Sequence, residues 1–149
     1  MVNIISFFQQ WWRKALSIIL ALILLGMLVM LGYILTHPKG EKFTEFYILG
    51  MSGKATDYPT ELRVGEEGRV IVGIVNQEYE PVTYRIEVVI DGVVNNEVKP
   101  VMLEHGEKWE ESVSFTPQGA GDHQKVELLL YRQGQSEVEQ TLYLWVDVR

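Results

Sequence analysis

Hydrophobic positions along the chain fall into two regimes. From Ala15 to Leu35, 21 consecutive residues carry no charge and are dominated by Leu, Ile, Val and Met. At about 1.5 Å per residue, a helix of that length spans roughly 30 Å of hydrocarbon. A buried soluble helix is rarely apolar all round in so small a protein. A cleaved secretory leader has an apolar run of only about 7 to 15 residues and a small-x-small site after it, and Gly32-Tyr33-Ile34-Leu35-Thr36-His37 lacks that site. The pattern predicts a single uncleaved transmembrane helix over residues 15–35, preceded by a short cytoplasmic or interfacial tail over 1–14.

Beyond a polar joint over residues 36–42, which contains Pro38 and Gly40, the apolar period changes to two. Val82, Tyr84, Ile86, Val88 and Ile90 alternate with Thr83, Arg85 and Glu87 and run into Asp91-Gly92, the signature of a half-buried strand ending in a tight turn. Trp109, Val113 and Phe115 alternate with Glu110, Ser112 and Ser114, between His105-Gly106 and Pro117. Further strands are expected at Phe43 to Leu49, Arg69 to Asn76, Lys99 to Leu103, Lys125 to Arg132 and Thr141 to Val148. No helical period is sustained after Lys42, so crossover helices and a parallel sheet are not expected. Seven strands over residues 43–149 predict an all-β fold, an immunoglobulin-like antiparallel β-sandwich.

The joint reaches only about 25 Å when fully extended, which keeps the domain near the bilayer. Arg13 and Lys14 stand before the span without acids, and a short tail with bases ahead of a lone signal-like segment leads to export of the chain beyond it. The expected location is the cell membrane, single-pass, with the N-terminus cytoplasmic and the C-terminal domain extracytoplasmic. Phe7, Phe8, Trp11 and Trp12 precede the bases, and aromatic rings favour the headgroup region. Trp11, Trp12, Arg13 and Lys14 are therefore expected as membrane-interface anchors. Ser17 and Ala21 make a small-xxx-small pair, a common pattern at which another helix can approach closely.

Charge sharpens the picture of partners. All 20 acidic residues lie after position 36, so the segment after the helix holds 11 bases against 20 acids, a net −9. Such a surface repels nucleic acid and anionic headgroups. The chain has no cysteine, which excludes disulfides, thiolate metal sites and a cysteine nucleophile. A domain of this size folds on its hydrophobic core without such staples.

Candidate chemistry is sparse. His37, His105 and His123 fall in turns or the joint and share no H-x-x-x-H spacing, so they are expected as solvated loop residues. Glu104, Glu107, Glu110 and Glu111 surround His105, but no D-x-D-x-D-G calcium loop is present. Ser52, Ser112, Ser114 and Ser136 lack the G-x-S-x-G context of an activated hydroxyl. No catalytic residue, cofactor or metal is expected, and the protein is read as a non-enzyme.

Two strands are apolar on both faces. Leu142, Leu144, Val146 and Val148 oppose Tyr143 and Trp145, while Phe46 and Ile48 oppose Phe43, Tyr47 and Leu49. The usual outcome is that the first strand and the loop after it fold back over Tyr143 and Trp145. The alternative is an aromatic interface for a partner, built from Phe46, Ile48, Tyr143 and Trp145. The chain is read as a binding or accessory protein that engages another membrane or cell-surface protein through a strand edge or an aromatic patch. A carbohydrate-binding module for surface glycans is the second reading, and an enzyme of surface-polymer metabolism a distant third.

A resemblance adds to this. The segments Phe43 through Gly50, Ser52-Gly53-Lys54, Tyr58-Pro59-Thr60, Gly73-Ile74-Val75-Asn76, Pro81-Val82-Thr83-Tyr84, Trp109 to Pro117, Leu129-Leu130-Tyr131 and Leu144 to Val148 together resemble the membrane-protein family called domain of unknown function 1616. Val75-Asn76, His105-Gly106 and Phe115-Thr116-Pro117 are also similar to motifs of extracellular immunoglobulin-like adhesion domains. The resemblance implies the sandwich fold and supplies no activity. Relatives often carry several spans ahead of the domain, where this sequence shows one.

Overall fold

The computed structural model describes residues 2–37 and 40–149. The chain divides between Gly40 and Glu41 into two compact units. The first is a continuous helix, α1 (Val2–Thr36). Its apolar part, Phe7–Thr36, is long and apolar enough to cross a membrane. The tail expected ahead of residue 15 is thus helical and continuous with the apolar run. The helix runs to Thr36, whose hydroxyl donates back to the Gly32 carbonyl at 2.9 Å, a local bond that Ser and Thr commonly make on helices. Pro38 and Lys39 of the expected joint lie outside the described residues.

The second unit is an immunoglobulin-like β-sandwich. Its strands are β1 (Phe43–Leu49), β2 (Glu61–Leu62), β3 (Gly68–Gln77), β4 (Val82–Ile90), β5 (Val93–Leu103), β6 (Lys108–Phe115), β7 (Gly121–Arg132) and β8 (Gln140–Val148). One sheet has the order β1-β3-β6 and the other β2-β8-β7-β4-β5. The pairings are antiparallel except β2 on β8, where Glu61 and Leu62 run parallel to Asp147 and Val148. That parallel pair departs from the sequence expectation, because two residues are too few to show a period. The chain reaches it by crossing between sheets through the loop after β1 rather than through a helix.

Two strands also start several residues earlier than expected: β7 at Gly121 rather than Lys125, and β5 at Val93 rather than Lys99. Asn95 and Pro100 fall at irregularities of the β5 pairing with β4. The register shift between Val88 and Val89 leaves Asn95 unmatched, and the shift between Tyr84 and Ile86 accommodates Lys99 and Pro100. Proline is tolerated there because β5 is an edge strand. Asp91 and Gly92, with φ of 47° and 83°, make the two-residue connection to β4, the backbone that a type I′ turn requires.

Period-two alternation sends one side of each strand inward. Val70, Val72 and Ile74 of β3, Tyr84, Ile86 and Val88 of β4, Phe115 of β6, Val126, Leu128 and Leu130 of β7 and Val146 of β8 form the buried interior. Val89 is also buried, on the opposite side from Val88 and beside the bulge. Outside the three-stranded sheet, the Tyr47 ring lies across Gly73, where an added Cβ would stand 2.1 Å from the ring. The Tyr47 hydroxyl donates to Glu110 Oε2 at 2.6 Å.

Candidate functional site

A sandwich of two open sheets has two sides on which sheet edges face each other. On one side, β5 meets β6 through side-chain amides. Asn95 Nδ2 donates to the Thr116 carbonyl at 2.7 Å, Thr116 N–H donates to Asn95 Oδ1 at 2.8 Å, and Asn96 Nδ2 donates to the Ser114 carbonyl at 2.8 Å. The extra residue in the β5 bulge is what lets Asn95 reach across.

On the other side, β1 and β8 diverge and leave an open groove of roughly 500 Å³ lined by Ile48, Tyr58, Thr60, Leu142 and Leu144, with Tyr143 and Trp145 on its lip. Tyr58 spans part of it, donating its hydroxyl to the Ile48 carbonyl at 3.1 Å. Tyr143 and Trp145 are 57% and 50% exposed. Their rings meet edge to face with centroids 6.1 Å apart, an arrangement favoured by aromatic quadrupoles. Lys125 Nζ lies 5.1 Å from the Tyr143 centroid and pairs with Glu127 at 2.6 Å.

These positions sort the sequence-predicted interface. Tyr143, Trp145 and Ile48 come together at the groove. Phe46 does not: it is 8% exposed and packs in the core, because β1 turns the side of Thr44 and Phe46 toward the interior. The first strand and its following loop do not cover Tyr143 and Trp145. That loop instead closes on itself through the Gly50 N–H to Lys54 carbonyl bond at 2.8 Å and the Ser52 Oγ to Asp57 bond at 2.8 Å. On α1, Ile4, Phe8 and Trp12 lie along one row and Gln9, Arg13 and Ser17 along another, since residues four apart share a helix face. Trp11, Trp12, Arg13 and Lys14 are all exposed on the helix surface.

The linker end of the groove is closed by a polar cluster that sequence reasoning missed. Gln140 Nε2 donates to the Thr44 carbonyl at 2.6 Å, bridging β8 to β1. The Thr44 hydroxyl donates to Glu78 Oε1 at 3.0 Å and shares a hydrogen bond with the Tyr84 hydroxyl at 2.8 Å. Arg132 reaches Glu78 at 2.5 Å and also pairs with Glu139. Glu78 is only 3% exposed, so this ion pair compensates a carboxylate that is costly to bury alone. The Glu139 carboxylate, followed by Glu78, raises the already high Arg132 pKa, and burial pushes the Tyr84 phenol above its ordinary value. Asn76 completes the corner: its Nδ2 donates to the carbonyls of Leu103 at 2.7 Å and Glu80 at 2.8 Å. The bonds from Thr44 to Glu78, Tyr84 and Gln140 and from Arg132 to Glu78 span 34 to 96 residues, so no local motif announces the cluster.

The histidines are dispersed. His37 stacks on Tyr33 at 4.1 Å, His105 lies against Tyr79 at 4.3 Å, and His123 Nδ1 is 3.5 Å from Asp147. The acidic run around His105 is divided between tasks: Glu107 accepts the Glu104 N–H at 2.9 Å in the turn, and Glu110 faces Tyr47 and Lys108. Among the described residues no three His, Asp or Glu side chains converge.

Residues 37–147 match the family described as domain of unknown function (DUF1616). The chain belongs to the DUF1616 family. Among solved structures, this DUF1616 chain is similar to the CARDB domain of a Pyrococcus furiosus protein, crystallised in complex with di-metal ions, with 16% identity over 72% of this chain and 89% of that one and a TM-score of 0.53. The solution structure of that same domain gives 19% identity, 72% and 97% coverage and a TM-score of 0.52. A chain of the complex between zinc 2-glycoprotein and prolactin inducible protein from human seminal plasma shares 8% identity over 76% of this chain and all 100% of that one, at a TM-score of 0.50. At these identities the likeness establishes the DUF1616 fold alone. No curated protein matches the sequence.

Proposed function

We propose that this DUF1616 protein is a membrane-anchored, non-enzymatic accessory protein. Helix α1 is retained as the anchor with the N-terminus in the cytoplasm, and the sandwich binds another membrane or cell-surface protein outside the cell membrane. The observation that carries this reading is the exposed Tyr143–Trp145 pair on the lip of an apolar groove. Aromatic residues are enriched at protein interfaces and dominate their energetics, while large rings left in water serve no fold. A short polar joint favours a neighbour in the same membrane over a distant target.

The test is mild-detergent purification of the tagged full chain from native membranes, with quantitative mass spectrometry and a Tyr143→Ser, Trp145→Ser double variant alongside. A stoichiometric membrane partner recovered by the parent and lost by the variant is the expected result. Recovery of the chain alone sinks the accessory role. Topology is tested separately, because the chain has no cysteine of its own: a Ser52→Cys chain in intact cells is expected to react with a membrane-impermeant maleimide, and the intact mass to retain α1.

The ring pair itself favours one second reading, a platform for surface glycans, since sugar rings stack on exposed Trp and Tyr. Titration of the full chain with surface polysaccharide, monitored by tryptophan fluorescence, distinguishes it. Quenching that survives Trp145→Ser rules that platform out.

A further inference from the structure

Backbone groups in an antiparallel ladder point alternately toward one neighbour and away from it. On β8, the Asp147 N–H donates to the Thr60 carbonyl at 2.8 Å and the Arg149 N–H to the Leu62 carbonyl at 3.0 Å. Odd-numbered residues of β8 therefore direct their N–H and C=O groups away from β7. Tyr143 and Trp145 share that parity. Yet β2 pairs only with Asp147 and Val148. Continuing the parallel register backward sets Pro59 opposite Trp145, but the pairing begins only at Glu61. Among the described residues no hydrogen bond reaches the outward N–H or C=O of Tyr143 or Trp145. The groove is thus bounded by an unpaired strand edge as well as by apolar side chains.

The opposite edge of the same sheet, β5, carries Glu97, Lys99 and Pro100, the residues with which edge strands resist pairing. From Thr141 to Val146, β8 carries no charge and no proline. We propose that this edge accepts an added β-strand from the partner protein, an extended segment with apolar residues at alternate positions and basic or no charge. The mode deepens the accessory role and rests on it. The net −9 of the segment after the helix argues for the sign of that charge: it opposes an acidic peptide and pairing with a second copy of the same acidic domain. Main-chain hydrogen bonds supply the affinity, and the side chains that alternate inward fill the groove beside Ile48 and Tyr58.

The experiment titrates the full chain in detergent micelles with a fluorescent alternating valine–threonine peptide ended by lysines, read by polarisation. Two controls block the backbone alone. The same peptide, N-methylated on alternate residues in each of its two phases, is expected to lose about tenfold in affinity in one phase and little in the other, as removing one or two hydrogen bonds implies. Tyr143→Pro is expected to bind about tenfold more weakly than Tyr143→Val, because both lose the ring and only the proline loses the N–H. The N-methyl series keeps the proposal falsifiable should the proline variant misfold. Overturning results are no binding by the parent chain, equal loss in the proline and valine variants, indifference to N-methylation, or preference for a glutamate-ended peptide. A chain that recovers its membrane partner but ignores backbone blocking keeps the accessory role and loses strand addition.

Discussion

The two open sides of the sandwich solve the same problem in opposite ways. Where β5 faces β6, buried-edge backbone groups are met by the amides of Asn95 and Asn96, and charge, proline and bulges guard the outer strand. Where β1 faces β8, only the linker end is clamped, by Gln140, Thr44 and the Glu78–Arg132 pair, and the rest stays apolar and uncovered. Both sides belong to one hydrophobic core, so stability alone does not require the second to be unfinished. The contrast teaches that a fold invests polar bridging where an edge is meant to stay closed. Bare aromatic surface remains at the edge proposed to receive a partner.

Breaking the clamp should have the largest effect. Arg132→Met leaves Glu78 buried without its cation, and the full chain in detergent is expected to lose about 3 kcal/mol, read from the hydrogen-exchange rates of core amides in β3 and β7. A change under about 1 kcal/mol removes the clamp as a stabilising element. Breaking the stitched side comes next. Asn95→Ala strands the Thr116 N–H and frees the β5 bulge, and the same measurement should register a loss of about 2 kcal/mol concentrated in β5 and β6.

The clamp also carries a pH signature. Burial raises the Tyr84 phenol in the folded state, so its contribution is fully present below the unfolded tyrosine value of about 10. It is lost as pH rises from there through the folded value, because the unfolded chain releases its proton first. Stability should therefore decline above about pH 10, and less steeply in a Tyr84→Phe chain; an unchanged slope in that variant contradicts the assignment. The smallest effect sharpens the comparison most. Tyr143→Ser with Trp145→Ser should change stability by no more than about 0.5 kcal/mol, as expected for exposed positions, while abolishing partner recovery. Destabilisation of several kcal/mol would mean that the rings serve the fold after all.

Much of the architecture was legible in particular residues. Alternation at Val82 to Ile90 placed Tyr84, Ile86 and Val88 in the core, since a slip of one residue would expose all of them. Asp91-Gly92 announced its turn because few other pairs adopt positive φ twice in succession. Glu61-Leu62 was too short to carry a period, and the start of β5 was not legible because Val93 to Val98 does not alternate: Asn95 and Asn96 interrupt the apolar positions with amides that bridge toward β6. Tyr143 and Trp145 were legible as a two-faced strand, but Phe46 was not separable from Ile48, as both sit on the same side of β1 and only packing decides which lies deeper.

Sequence alone settles the apolar helix, the strand periods, the inward face of the strands that carry a period and the acidic character of the domain. All of these are properties of local spacing and of counting. It took the folded chain to bring Thr44, Glu78, Tyr84, Arg132 and Glu139 together, to limit the β2 pairing to Glu61 and Leu62, and to leave the rest of the β8 edge open. Those depend on which distant segments become neighbours, and neighbourhood across two sheets is fixed by the packing of the whole core.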